Sequence, residues 1–309
     1  MNPRPDWLPF DPAGPFELGG RTLPGRVWTA SGCFGYGLCG EGIVDAGGAP
    51  RATPYEGLGL VVTKTITPAP RDGNPPPRIW DAGPGALNSI GLENVGLDAF
   101  LHDKLPPLAG KGIGFIVSLA GTVPEEFGAM TAALREAAAD LPGWHGVELN
   151  LSCPNVAHGG VDFGRDPATV RACTESARKE IGDRLVLAKL TPNTGAIAGL
   201  AAAAGEGGAH GVTAINTLIG TDIDLRTGKP VLPLRRGGYS GPAILPVALA
   251  KVDEIVRETG LPVIGVGGVS RPGDVLKFFA VGAVAVQVGT ALLQDPFAVA
   301  RISEGLRSG

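Results

Sequence analysis

One cysteine lies in a segment whose residue types could perform acid–base chemistry. Residues 148–155 read Glu-Leu-Asn-Leu-Ser-Cys-Pro-Asn, which places Cys153 between a serine and a proline just after an apolar run. A thiolate is a competent base or nucleophile, but the thiol is mostly protonated at neutral pH and needs a rim or loop position to act. An isolated cysteine is more often a small buried hydrophobe, the interpretation we give to Cys33, Cys39 and Cys173. Cys153 is therefore the candidate catalytic residue.

Lysines and asparagines also follow apolar runs. Lys64 and Lys189 end two such runs, and a buried lysine is costly without an anionic or electron-rich partner. The carboxamides offer both donors and acceptors, as a ligand resembling uracil would require. They are those of Asn88, Asn150, Asn155 and Asn216. A single lysine or asparagine at a strand end often only reaches solvent or forms a turn, but several on one rim favour a binding site.

The elements that would position these residues alternate between short β-branched runs and longer helical stretches. The predicted strands are Arg26–Ala30, Leu58–Thr63, Ile113–Ser118, Gly146–Asn150, Leu185–Leu190, Gly211–Asn216, Pro262–Val266 and Ala283–Val288. The predicted helices are Thr122–Leu141, Asp166–Ile181, Thr194–Gly205, Pro242–Thr259, Ser270–Val281 and Asp295–Leu306. This order predicts an α/β fold, a single (β/α)8 TIM barrel, with the active site at the carboxyl ends of its strands. The proline-rich segment Lys64–Gly110 is predicted to be a long loop insertion above that rim.

Glycine turns follow the last two predicted strands. Gly267-Gly268 and Gly289-Thr290 precede helices and leave backbone N–H groups that could bind a phosphate. The alternative is that they are only tight turns between strand and helix. The GxGxxG fingerprint of a doubly wound dinucleotide fold does not follow the first strand.

Composition sets the wider limits. The chain has 309 residues, 49 of them Gly and 28 Pro, and a net charge of −4 without a block of basic residues. We expect one domain over residues 1–309, and neither nucleic-acid nor membrane binding. The N-terminus does not read as a signal peptide, and the cysteines form no CxxC pair, so a cytoplasmic location is expected.

Several motifs, in order along almost the whole chain, resemble those of class 1 dihydroorotate dehydrogenases. They are Thr29-Ala30-Ser31-Gly32, Thr63-Lys64-Thr65, Pro70-Arg71-Asp72-Gly73-Asn74-Pro75, Asn88-Ser89-Ile90-Gly91-Leu92, residues 148–155, Ile215-Asn216-Thr217, Gly237-Gly238-Tyr239-Ser240-Gly241-Pro242, Gly265-Val266-Gly267-Gly268 and Val288-Gly289-Thr290.

The resemblance implies an FMN enzyme that oxidises (S)-dihydroorotate to orotate in pyrimidine synthesis. It implies that Cys153 removes the C5 proton while the C6 hydride passes to the flavin. Substrate would be held by Lys64, Asn88, Ser89, Ile90, Gly91, Leu92, Asn150, Asn155, Asn216 and Thr217. FMN would be held by Ser31, Lys64, Thr65, Asn150, Lys189, Ile215, Gly241, Gly267, Gly268, Gly289 and Thr290, with Lys189 near flavin N1. Ser118 is a weaker candidate, because the family often has a flavin-contacting asparagine there.

The resemblance also bears on partners. Cysteine at the base position is typical of class 1, since the membrane-associated class 2 enzymes use serine. The segment 88–92, Gly159-Gly160 and Ser240-Gly241-Pro242 are more similar to subclass 1B than to the homodimeric, fumarate-using subclass 1A. The resemblance implies a homodimer, or a heterotetramer with a subunit that carries FAD and a 2Fe–2S cluster and passes electrons to NAD.

Two alternatives stay open at this point. The FMN domain of dihydropyrimidine dehydrogenases is similar and also uses a cysteine, but acts on uracil or thymine, which lack the carboxylate of orotate. A lysine-based barrel lyase, or a flavin-binding protein without turnover, is the alternative from another class. The lyase would use Lys64 or Lys189 as a Schiff-base amine.

Overall fold

The computed structural model describes residues 5–38, 53–152 and 164–308. Its strands, in chain order, are β1 (Phe16–Leu18), β2 (Arg21–Leu23), β3 (Val27–Thr29), β4 (Val61–Val62), β5 (Ile79–Asp81), β6 (Ala86–Asn88), β7 (Phe115–Leu119), β8 (Trp144–Asn150), β9 (Leu185–Lys189), β10 (Gly211–Ala214), β11 (Leu218–Gly220), β12 (Ile223–Asp224), β13 (Lys229–Pro230), β14 (Gly237–Ser240), β15 (Val263–Val266) and β16 (Ala285–Val288). Its helices are α1 (Leu97–Ala99), α2 (Leu105–Ala109), α3 (Pro124–Ala137), α4 (Pro167–Glu180), α5 (Ile197–Glu206), α6 (Leu245–Thr259), α7 (Pro272–Ala280), α8 (Ala291–Gln294) and α9 (Ala298–Arg307). A π-helical turn, Phe100–Lys104, joins α1 to α2, and the 3₁₀ turn Pro242–Ile244 precedes α6.

Eight strands form one parallel sheet in the order β3-β16-β15-β10-β9-β8-β7-β4. Its two outer strands meet, because Thr29 N–H donates to Leu60 O at 3.1 Å and Gly59 N–H donates to Val27 O at 2.8 Å. The sheet therefore closes into a barrel, and the predicted (β/α)8 fold is confirmed. Each of the eight predicted strands overlaps an observed one.

The six predicted helices are also present, with ends shifted by a few residues. The start of α4 forms as its sequence indicates, since the Asp166 carboxylate accepts hydrogen bonds from the backbone N–H groups of Ala168 and Thr169. The carboxylate also accepts a hydrogen bond from the Thr169 hydroxyl. That bond, together with the backbone bonds, lowers the pKa of Asp166.

The segment 64–110 is more ordered than the predicted loop. It contains β5, β6 and the continuous helical stretch from Leu97 to Ala109. Pro106 and Pro107 obscured that helix in the sequence, although proline fits its position at the first turn of α2. The strands β5 and β6 join β14 and β11 in a small antiparallel sheet of order β11-β14-β6-β5.

A hairpin of β1 and β2 was not predicted. Its two-residue turn is Gly19-Gly20, and both glycines have positive φ, as the tight turns that suit hairpins require. Phe16, Leu18 and Leu23 of this hairpin pack with inward-facing residues of the barrel strands, such as Trp28 and Leu185. The hairpin thus closes the amino-terminal end of the barrel.

Candidate active site

Inward-facing positions of the barrel strands change from apolar to polar toward their carboxyl ends. Because side chains alternate along a strand, Leu185, Leu187 and Lys189 face the same side of β9. On β7, Ile116 is followed in the same way by Ser118, and on β16 Ala285 is followed by Gln287. The register pairs Lys189 with Asn150 on one side and Thr213 on the other, which puts these residues at one level. A polar layer therefore lies directly below the barrel mouth.

Hydroxyl and amide side chains form a continuous hydrogen-bonded row across this mouth. The Thr65 hydroxyl lies 3.0 Å from the Ser31 hydroxyl and 2.9 Å from that of Ser118. Asn150 Nδ2 lies 3.4 Å from Thr65 Oγ1, and Asn216 Nδ2 donates to Asn150 Oδ1 at 3.3 Å. Residues from five strand ends thus meet, and the predicted site residues among them lie together with Ser118.

Lys189 lies beside a buried carboxylate. Its side chain is 8% exposed, and its Nζ is 3.7 Å from Oε1 of Glu148, which is fully buried. That separation exceeds a hydrogen-bond length, and this ammonium donates no hydrogen bond to any of the described residues. Lys189 consequently keeps donors for a ligand at the mouth.

The predicted substrate loop, residues 88–92, lies on the small sheet above the barrel. Asn88 ends β6, and its Nδ2 donates to Gly238 O of β14 at 3.2 Å. Asn74 fixes the loop from the other side, since its N–H donates to Ile90 O and its amide donates to the Ser89 hydroxyl at 2.9 Å. The structure therefore holds this loop through two neighbouring segments.

Lys64 connects the mouth to that loop. Its Nζ is 3.8 Å from Glu93 Oε2, and the same oxygen accepts a hydrogen bond from Arg78 Nη1 at 2.8 Å. Arg78 also donates to the backbone oxygens of Asp72 and Asn74. The three charged groups carry a net charge of about +1, which suits a carboxylate ligand.

The glycine turns lie at the ends of β15 and β16. The N–H groups of Gly268, Val269, Gly289 and Thr290 have no hydrogen-bond partner within the described part of the chain. Gly267 and Gly268 have positive φ, and a Cβ on either would collide with the start of α6, at Ala248 and Leu245. Packing of the turn against this helix is thus a reason for glycine that the sequence did not reveal.

Other predicted residues surround these turns. Ile215 is buried and its N–H donates to Val266 O at 2.9 Å. The Thr290 hydroxyl donates to Ser240 Oγ at 2.8 Å, which ties the last strand to β14 next to Gly241. Thr217 packs against Gly238, since a Cβ added at Gly238 would collide with the Thr217 hydroxyl. The structure brings these residues to the same end of the barrel as the polar row.

The cysteines divide into two groups. Cys153 and Cys39, like Asn155 and Gly159-Gly160, lie outside the described residues, so their predicted roles stay predictions. Burial raises the pKa of Cys173 to about 12, with the Glu125 carboxylate adding to the shift, as expected of an inert core thiol. Burial also raises the pKa of Cys33, while Lys189 acts in the opposite direction. Cys33 therefore lies near the site, and its Sγ would be 3.6 Å from a Cβ added at Gly289.

Sequence reasoning missed several residues that support the site. Thr213 and Gln287 hydrogen-bond to Glu148 inside the barrel, and Glu93 and Arg78 form the charged contact with Lys64. A polar residue at an inward position of an otherwise apolar strand was the available signal for the first three.

The closed barrel and its mouth, lined by amides, hydroxyls, an ammonium and free backbone N–H groups, define a ligand-binding (β/α)8 enzyme. The sequence matches the family described as dihydroorotate dehydrogenase over residues 16–309. The chain belongs to this family.

Its relatives include three catalytic subunits named dihydroorotate dehydrogenase B (NAD(+)). The protein from Thermoanaerobacter sp. (strain X514) is 41% identical over 94% of this chain and 91% of its own length. That from Pelobacter propionicus is 42% identical over 94% of this chain and 91% of its own length. That from Solidesulfovibrio magneticus is 43% identical over 94% of this chain and 90% of its own length.

In the described ranges, no helix has the length and apolar character needed to cross a membrane.

Proposed function

We propose that this chain oxidises dihydroorotate to orotate, a step of pyrimidine synthesis, with FMN bound at the barrel mouth. The observation that carries the proposal is the row Ser31, Thr65, Ser118, Asn150 and Asn216 beside the Lys189 ammonium. It supplies donors and acceptors at one rim, as a flavin next to a pyrimidine ring requires. The family membership supports the same reaction.

The described residues fit FMN. The unbonded N–H groups at the ends of β15 and β16 suit its phosphate, and the Lys189 ammonium suits an electron-rich part of the ring. We assign the cofactor to Ser31, Lys64, Thr65, Asn150, Lys189, Ile215, Gly241, Gly267, Gly268, Gly289 and Thr290. When bound, FMN supplies an acceptor for the hydride that leaves dihydroorotate.

The substrate lies, in this proposal, between the polar row and the loop 88–92. Lys64 binds the carboxylate, with its charge shared between that group and Glu93. Asn150, Asn216 and Thr217 hold the ring, together with Asn155. Cys153 accepts the C5 proton, which a thiolate can do when a closed site excludes water.

The assembly is also a proposal. We propose that residues 1–309 act as one domain in the cytoplasm, as a homodimer or in a heterotetramer with a subunit carrying FAD and a 2Fe–2S cluster. Exposed apolar side chains of the small sheet and its adjoining hairpin support a subunit contact, because such groups are otherwise placed in water. They are Ile79, Trp80, Ile219, Ile223 and Leu225. Co-purification with an iron–sulfur flavoprotein, and NAD reduction that needs it, would test this assignment.

Anaerobic mixing tests the reaction. We expect a yellow protein whose flavin absorbance is bleached by dihydroorotate much faster than by dihydrouracil, since Lys64 recognises a carboxylate. Faster bleaching by dihydrouracil would favour reductive pyrimidine breakdown. A colourless protein that borohydride links covalently to its substrate would favour a lysine-based lyase. A yellow protein that neither compound reduces would indicate flavin binding without turnover.

A further inference from the structure

Glu148 is a buried charged residue to which the proposed reaction assigns no role. It is fully buried, and carboxylates are seldom so placed unless a partner compensates the charge. It lies two residues before Asn150 on β8, so both side chains face the barrel interior. Glu148 therefore occupies the level directly below the site.

Three other strands direct side chains at this one carboxylate. Oε2 accepts hydrogen bonds from Thr213 Oγ1 of β10 at 2.8 Å and from Gln287 Nε2 of β16 at 2.7 Å. Oε1 has no hydrogen-bond partner among the described residues and lies 3.7 Å from Lys189 Nζ of β9. Two bonds thus fix one oxygen, and the other is left for the ammonium.

This arrangement limits where the ammonium can go. A lysine side chain is a flexible four-carbon stem with a compact charge at its end, and Lys189 has one described carboxylate within 4.0 Å. Attraction to Glu148 draws the ammonium down into the barrel and offsets its charge. A ligand at the mouth consequently experiences a weaker positive potential than an unpaired lysine would give.

We propose that Glu148 is a positioning residue, which holds the Lys189 ammonium below the flavin and limits how strongly it stabilises the reduced cofactor. The proposal rests on FMN binding at this mouth, as proposed above. It assigns Thr213 and Gln287 the task of fixing the carboxylate.

The test is the midpoint potential of bound FMN, measured by anaerobic dye-coupled titration of the purified chain. We expect Glu148→Gln to strengthen binding of reduced relative to oxidised FMN about tenfold, which for two electrons is a rise of about 30 mV. Lys189→Met is expected to weaken binding of reduced relative to oxidised FMN, which lowers the midpoint potential. In the double variant, the effect of Glu148→Gln should be largely lost, because its action passes through the lysine.

A matched control separates positioning from stability. Thr213→Val removes one of the two hydrogen bonds to Oε2 but keeps the carboxylate charge and the bond from Gln287. It should therefore lower the melting temperature and shift the ratio of reduced to oxidised FMN binding less than about threefold. A Glu148→Gln protein that is only less stable, with an unchanged potential, would overturn the proposal. So would an equal shift in the presence and absence of Lys189, since Glu148 would then act directly on the flavin.

A second variant covers loss of folding by Glu148→Gln. Glu148→Asp keeps the charge but retracts it by one methylene, so we expect a shift in the same direction of about threefold. A folded Glu148→Asp protein with the wild-type potential would contradict the proposal. Failure of the wild-type chain to bind FMN would contradict the proposed function instead, so the two failures are distinguishable.

Discussion

At the barrel mouth, Lys64 and Lys189 face the site and keep donors for a ligand, whereas arginines at the opposite end are fixed by the protein itself. Arg26 donates to Val284 O at 2.7 Å, and its guanidinium carbon lies 4.5 Å from the centre of the ring of Phe16, which is on β1. Arg184 donates to Trp144 O at 2.9 Å. Cations of the amino-terminal end thus hold the β1–β2 hairpin and strand starts together, while those of the mouth are available for chemistry. In the function proposed above, this difference separates cations that stabilise the fold from those that serve the reaction.

The largest effect is expected at the mouth. Cys153→Ala should keep FMN bound but slow flavin reduction by dihydroorotate roughly 10²–10⁴-fold, the usual contribution of a general base. Stopped-flow absorbance under anaerobic conditions measures the rate. Cys173→Ala is the matched control, because that thiol lies on the buried face of α4. Its removal should change stability and leave the rate of flavin reduction unaltered. A near-normal rate in the Cys153 variant would rule out its role as the base.

At the opposite end, the same kind of truncation should affect stability alone. Leu23 is fully buried under the barrel, so Leu23→Ala should lower the free energy of unfolding by about 2–5 kcal/mol. Urea denaturation measures this, and the rate of flavin reduction should stay at the wild-type value while the protein is folded. Thr22→Ala, on the exposed side of the hairpin, should change stability by about 0.5 kcal/mol or less. A large loss of activity in the folded Leu23 variant would contradict the division between the two ends.

The sequence predicted the barrel well because each strand is a short β-branched run bounded by turn residues, a local signal. It also predicted that Lys64, Asn150, Lys189 and Asn216 share a rim, since all follow strands of one parallel sheet. It did not predict the helix Leu97–Ala109, because adjacent prolines and a π turn interrupt its periodicity. The roles of Cys153 and Asn155 were inferred from the resemblance.

The supporting contacts escaped prediction for a different reason. Glu148 and Gln287 are far apart in the sequence, and only the barrel register brings them within 2.7 Å. Glu93 and Arg78 lie in a segment predicted to be a loop, where no periodicity indicates which side chains meet. Both are long-range or irregular contacts, which local patterns do not encode.

A smaller effect is expected at the rim of the mouth. Glu93→Gln removes the anion that shares Lys64 and Arg78, so orotate should bind about two- to fivefold more tightly, as for a partly exposed pair. Titration of the flavin absorbance with orotate measures the dissociation constant. Uracil, which lacks the carboxylate, is the control ligand and should bind unchanged. An equal gain for uracil would mean that the loop had moved and that charge was not the cause.

The smallest effect belongs to the amino-terminal end and depends on pH. Burial, aided by the charges of Arg21 and Arg184, lowers the pKa of His145 to about 4. Between about pH 6.5 and pH 4 the unfolded chain therefore binds a proton that the folded chain does not, and stability falls as the pH is lowered. Because His145 is partly exposed, we expect a loss of only about 1 kcal/mol. His145→Gln should remove it, which urea denaturation of both proteins at pH 7.5 and pH 4.5 would measure. If the free energies of unfolding of the two proteins differ by the same amount at both pH values, His145 does not couple protonation to folding. The arginines are then the charges that matter at this end.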